Sequence, residues 1–165
     1  MMLQVKNCRL FSLLLVVIAM SFLVTSCKKD KDNEPDSIIG NVSKPAWALP
    51  ADWDLSSSMT AIVKVDLTSL YTEDQLKAVN YQLTTNDMLA AFCGDECLGI
   101  GEWKEDYKAY WLYISAPEKG DKVTLKYYSP VLKHIYRASE TIPYVNDKWY
   151  GSTSEPYTPD WTVAE

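Results

Sequence analysis

Histidine is almost missing from this chain of 165 residues; His134 is the only one. A single imidazole excludes a multi-histidine metal centre. Set between Lys133 and Ile135 in a strand-like run, it reads as a structural residue, satisfied or exposed, and not as a general base. Cysteine is scarce, four in all, and no Cys-x-x-Cys pair occurs. Glycine-rich phosphate loops and nucleophile elbows do not occur either, which removes the common nucleotide and hydrolase signatures. Basic residues are outnumbered, 16 against 22 acidic ones, with no basic stripe. That balance argues against nucleic acid and against adsorption to anionic membrane surfaces. Helical periodicity is almost absent, and the only long apolar run lies at the N-terminus.

That run, Leu10 to Val24, follows a short positive segment carrying Lys6 and Arg9 and is interrupted only by Ser12 and Ser21. It has the order of a secretory leader. At about 15 residues it is short for a span, which needs roughly 20. Its end, Leu23-Val24-Thr25-Ser26-Cys27, resembles the lipobox of bacterial lipoproteins. Thr25-Ser26 stands where Ala or Ser followed by Gly or Ala is commoner. The resemblance implies cleavage before Cys27, which would become residue one and carry the lipid. The expected organisation is a signal peptide over 1–26, a lipidated charged tether over 27–40 and a folded domain over 41–165. Lys28 to Asp36 holds no apolar residue, so it cannot join a core. Charges directly behind a lipid cysteine also resemble the surface-export signals of Bacteroidetes lipoproteins. The expected address is the outer membrane, anchored by lipid and facing the medium; a plain spacer would leave the protein facing the periplasm.

The leader holds two basic residues and no acid, so the mature chain has 14 basic against 22 acidic residues, a formal charge of −8. The roughly 125 residues beyond the tether suffice for one core and not for two. All six tryptophans and all eleven tyrosines lie beyond Cys27, a bias toward β structure.

The chain is organised around Asp87 to Gly101, two short apolar runs folded back across Gly94-Asp95-Glu96 as a three-residue hairpin loop. This register sets Cys93 against Cys97, Phe92 against Leu98, Ala90 against Ile100 and Ala91 against Gly99. Met88, Ala90, Phe92, Leu98 and Ile100 then share the expected core face. The opposite face is mostly small, so something can pack closely on it. Opposed strand positions are near enough for a disulfide, and an exported protein meets oxidising conditions. Cys93 and Cys97 are therefore read as a disulfide, as two packed thiols, or as a metal or redox pair; the Cys-x3-Cys spacing without a companion histidine favours the last least.

Around this hairpin, Met59, Ala61, Val63, Val65 and Leu67 alternate inward along a half-buried strand. Thr72 and Gln75 have the spacing of a helix start, with Tyr71 placed to staple on Leu76. Val79, Tyr81 and Leu83 alternate as a short strand. Lys108 to Ser115 is nearly all apolar, the pattern of a central strand covered on both faces. Val123, Leu125 and Tyr127 point inward in the next run, 132–138 makes another strand, and 142–145 a short one. From Asn146 the chain reads as turns. The sum is an all-β domain, a single antiparallel β-sandwich of about seven or eight strands, immunoglobulin-like or related.

Asp87-Met88-Leu89-Ala90-Ala91-Phe92, Gly94-Asp95-Glu96-Cys97-Leu98-Gly99, Ile135-Tyr136 and Glu140-Thr141-Ile142 together resemble β-sandwich modules of Bacteroidetes surface proteins. Those modules carry an Asp-x-hydrophobic-Ala-Ala-Phe-x-Gly-x-x-Cys-x-Gly core, and the likeness implies a fold and no chemistry. Cys93 is an addition to that pattern. Asp95, Glu96, Glu102, Glu105 and Asp106 are the acids from which a glycosidase pair would come, but they sit in or beside hairpin loops. No catalytic residue, cofactor or metal site is assigned. The aromatic residues Trp47, Trp53, Trp149, Tyr150, Tyr157 and Trp161 fall in the terminal, loop-like segments. They are read either as plugs for the ends of the domain or as a platform on which a sugar stacks. The expected function is a non-enzymatic envelope protein that binds a glycan or surface partner. The alternative is a structural or adhesive subunit of a surface complex, and a small hydrolase comes last.

Overall fold

The computed structural model describes residues 37–164. The signal peptide, Cys27 and the charged tether as far as Asp36 lie outside the described residues; residues 37–40, expected in the tether, instead belong to the domain, with Ile38 packed on the core and Gly40 N–H bonded to Leu132 O. Ten strands and one short helix make up the rest: β1 Ser58–Val63, α1 Glu73–Ala78, β2 Met88–Cys93, β3 Glu96–Ile100, β4 Glu102–Lys104, β5 Ala109–Ser115, β6 Lys122–Ser129, β7 His134–Ala138, β8 Ile142–Pro143, β9 Trp149–Tyr150 and β10 Trp161–Val163. Sheet I has the order β4-β5-β1-β9; sheet II runs β10-β7-β6-β2-β3, with β8 on the far end of β6. Pairing is antiparallel throughout except between β1 and β9. The surplus over seven or eight strands comes from two- and three-residue pieces such as β9 and β10, too short to show any alternation in the sequence.

Alternation places the core as the sequence predicts for most long strands. Met59, Ala61 and Val63 of β1, with Val65 and Leu67 beyond it, are buried in one cluster with Leu112 and Ile114 of β5 and with Val123, Leu125 and Tyr127 of β6. Both sheets thus bury one face in a common core. The α1 cap also forms as read: Gln75 N–H donates to Thr72 Oγ1 and the Gln75 side chain accepts from Thr72 N–H. Residues 79–83 depart from expectation. Asn80 takes φ +53° and the backbone turns there, so Val79, Tyr81 and Leu83 pack on the core from a loop.

The central hairpin reverses the predicted faces of β2, while Leu98 stays in the core as read. Ala90 pairs with Ile100 and Ala91 with Gly99, as read, but Phe92 then pairs with Cys97 and Cys93 with Glu96. Leu98 is the extra residue of a bulge, and the loop shortens to Gly94-Asp95 with Gly94 at φ +62°. Leu89, Ala91 and Leu98 face the main core, whereas Ala90, Phe92 and Cys97 form a separate outer cluster. The small face is the one turned inward because β5 crosses it closely. A Cβ on Gly99 would stand 2.3 Å from Tyr113 O.

What covers the outer cluster is the extended strap of residues 37–53. Alternate residues Ile38, Gly40 and Val42, then Pro45, Trp47 and Leu49, are the half-buried ones. Gly40 and Val42 N–H donate to Leu132 O and Lys133 O at 2.8 and 3.0 Å, and Tyr128 Oη donates to Val42 O. Gly40 must be glycine, since a Cβ would meet Lys133 O at 2.6 Å and the His134 ring at 2.4 Å. Further along, Trp47 meets Phe92 edge-on at 5.5 Å.

Asp87, which opens the module-like motif, is a buried acceptor. Tyr127 Oη donates to its Oδ1 at 3.0 Å, Thr84 N–H donates to Oδ2, and Tyr81 and Tyr127 hydroxyls lie 3.1 Å apart. Burial pushes its pKa above the usual aspartate value, against the opposing pull of these hydrogen bonds. Burial likewise keeps the Tyr81, Tyr127 and Tyr136 phenols protonated.

Candidate binding surface

The six terminal aromatics do not form one group. Trp161 is a core residue at 2% exposure, stacked at a tilt near Tyr127. Tyr150 and Tyr157 pack on the core as a pair 6.3 Å apart, and their hydroxyls donate to Pro143 O and Glu140. Trp47 belongs to the strap. Trp53 is half-buried, its Nε1–H held by Leu98 O at 2.8 Å. Trp149 alone stands out, at 58% exposure.

Trp149 has neighbours that the sequence reading missed. On the outer face of sheet I, β5 carries Trp111, Tyr113 and Ser115, while β1 contributes Thr60 and Ile62. Trp149 pairs beside Thr60, and Ile62 lies directly opposite Trp111. The Trp149 ring meets Trp111 edge-on at 6.3 Å, and Tyr107, from the turn before β5, stacks on Trp111 at 6.1 Å. Tyr107 and Tyr113 are 46% and 45% exposed. Ile62 beneath them is only 1% exposed. Glu102, opposite Trp111 on β4, and Lys104 form an ion pair at the margin. The expectation that β5 is covered on both faces is therefore corrected in part: its inner row is buried, while on the outer row Trp111 and Ser115 are half-buried and Tyr113 is exposed. A continuous apolar run does not distinguish the two, because aromatic rings satisfy a hydropathy pattern on an open face as well as in a core.

At the corner where β5 passes β3 the surface dips into a cleft of about 360 Å³. Its walls include Trp53, Ser115 and the carboxylates of Asp52, Asp54, Glu96 and Glu118. Leu98 O accepts from both Trp53 Nε1 and Ser115 Oγ, which fixes the indole on the rim. Asp54 is held below the usual carboxylate range by hydrogen bonds from Ser56. Among the remaining acids, Glu105 takes hydrogen bonds from Lys108 and Trp103 Nε1, which lower its pKa in that order. Glu105 and Asp106 lie in the β4–β5 turn, while Asp95 is in the β2–β3 turn.

Cys93 and Cys97 are free thiols on opposite faces of the hairpin. The disulfide reading is corrected by the Leu98 bulge, which moves Cys97 out of register with Cys93. Cys93 Sγ donates to Lys119 O at 3.1 Å; the Cys97 thiol lies under the strap, its pKa raised by burial. Among the described residues, no group of three metal-binding side chains converges and no helix is long and apolar enough to cross a membrane. Comparison with protein-family models, curated proteins and solved structures finds no match.

Proposed function

We propose that this chain is a lipid-anchored envelope protein, of the Bacteroidetes surface type, whose β-sandwich domain binds a glycan without cleaving it. The observation that carries the reading is the outer face of sheet I, where Trp149, Tyr113 and Tyr107, each about half exposed, surround the half-buried Trp111. Contiguous exposed apolar surface on a small domain marks an interaction site. Ring faces carry negative charge density, which suits the partly positive C–H groups of a sugar. A sugar also brings hydroxyls, and polar groups stand at the margin in Glu102 and Lys104. Trp47 and Leu49 of the strap pack on the other outer face.

The test is a glycan array with the soluble domain, followed by Trp149→Ala. Retention of one glycan class, lost in the variant, supports the reading; silence on a broad array contradicts it. A fixed protein partner recovered with the lipoprotein from solubilised membranes, without any glycan, would instead assign this face to a subunit contact in a surface complex.

A further inference from the structure

We propose that the sugar-binding surface continues along β5 into the Trp53 cleft, and that the unit bound there is an amino sugar carrying a protonated amine. This rests on the glycan reading above and names the class of glycan. The continuity is a matter of strand geometry. Trp111, Tyr113 and Ser115 occupy alternate positions of one strand, so they share a face and span about 13 Å. Ser115, the last of them, is itself a wall of the cleft. A chain that crosses β1 from Trp149 to Trp111 and then follows β5 past the exposed Tyr113 ring reaches the cleft at Ser115.

The chemistry changes along that path. The open face carries the Glu102–Lys104 pair at its margin, so its formal charge is balanced there. In the cleft, Asp52, Asp54, Glu96 and Glu118 are accompanied by no lysine, arginine or histidine. The ion pairs of the described residues lie elsewhere, at Lys77–Glu73, Lys104–Glu102 and Lys108–Glu105. The Glu118 backbone N–H donates to Glu96 Oε2 at 3.3 Å, which steadies one of these carboxylates. An indole beside uncompensated carboxylates is a setting for an ammonium group, which gains from the ring face as well as from the acids. Ser56, Ser57 and Ser115 supply hydroxyls for the rest of a sugar ring. A uronic acid in the same place would meet repulsion from every charged side chain of the cleft.

The experiment compares three hexamers by calorimetry at mildly acidic pH with the mature soluble domain: glucosamine, N-acetylglucosamine and galacturonate. Two double variants are included. Glu96→Gln with Glu118→Gln removes charge from the cleft while keeping an acceptor for the Glu118 N–H. Glu73→Gln with Asp74→Asn removes the same charge from α1, outside the cleft. The expected result is tightest binding of the glucosamine hexamer and none of galacturonate. The cleft variant should weaken the glucosamine hexamer about ten-fold and leave the N-acetylated one unchanged, while the α1 variant changes neither. Equal affinity for the two glucosamine-based hexamers, or equal loss in both variants, overturns the inference and leaves the glycan reading intact. Binding of some unrelated neutral glycan with none of these three does the same. Failure of every glycan on the array, these included, overturns the reading itself.

Discussion

The two outer faces of this domain begin alike and end differently. Each presents a row of large apolar side chains away from the common core: Phe92 with Ala90 and Cys97 on sheet II, and Trp111, Tyr113 and Trp149 on sheet I. On sheet II the chain lays Trp47 and Leu49 of its own segment 37–53 over the row, with an edge-on Trp47–Phe92 contact. On sheet I the row leaves Tyr113 and Trp149 about half exposed, although its rings pack well enough on one another to bury Ile62. A chain able to cover one such face has no need to expose the other for folding. On the proposed reading, that face is the one with a use outside the fold.

Substitutions can break or sharpen this contrast, and the largest effect is expected where the two sheets meet. Gly99→Ala drives a Cβ into the Tyr113 carbonyl, a backbone group with no room to turn aside. A loss of about 3 kcal/mol is expected from overpacking, read as a lower urea midpoint at unchanged m-value. A neutral Gly99→Ala would mean the small face of the hairpin is not the inner one.

The covered face comes next. Trp47→Ala should cost about 2 kcal/mol, less than a fully buried tryptophan because Trp47 is half-buried. It should also speed modification of Cys97, which, being buried, is expected to react more slowly in the native protein than the half-buried Cys93. Equal native rates for the two thiols would break the assignment of the faces.

Asp87 sharpens the account of the interior that both faces share. Its native pKa is raised by burial, so the folded state holds the proton to higher pH than the unfolded chain does. Its contribution to stability is thus fully present below the ordinary aspartate value and is lost as pH rises through the raised native one. Asp87→Asn should abolish that decline, at a cost of about 1 kcal/mol for the acceptor lost to Tyr127 or to the Thr84 N–H. Thermal melts of both proteins across the acidic range check it; parallel pH profiles would contradict it.

The smallest effect on stability belongs to the bare face. Trp149→Ala should move the melting free energy by no more than about 0.5 kcal/mol, since the ring is mostly in solvent. A loss comparable with that of Trp47→Ala would turn the open face into a structural one.

Much of this architecture is legible in the sequence where a pattern is local. The inward rows of β1 and β6 follow from strict alternation, and the Thr72–Gln75 cap follows from spacing alone. The hairpin is legible as a hairpin, yet its two faces are not. One bulged residue, Leu98, shifts the pairing of Cys97 and Glu96 on its turn side, and the cover over Phe92 comes from a segment some 45 residues earlier in the chain. The site shows the same limit. Trp149 is visible as an aromatic in a loop-like stretch, but Trp111 and Tyr113 are hidden inside what reads as a core strand. An alternating row of rings carries the same hydropathy whether a second layer covers it or water does. Trp111 and Tyr113 at alternate positions, interleaved with the aliphatic Leu112 and Ile114, are the signal that would have found them.

The most direct test sets the two tryptophans against each other in one experiment, with glycan retention and thermal melting measured for Trp149→Ala and Trp47→Ala. The account predicts that Trp149→Ala loses the glycan at an unchanged melting temperature, and that Trp47→Ala keeps the glycan while melting several degrees lower. Undiminished binding by Trp149→Ala would contradict it.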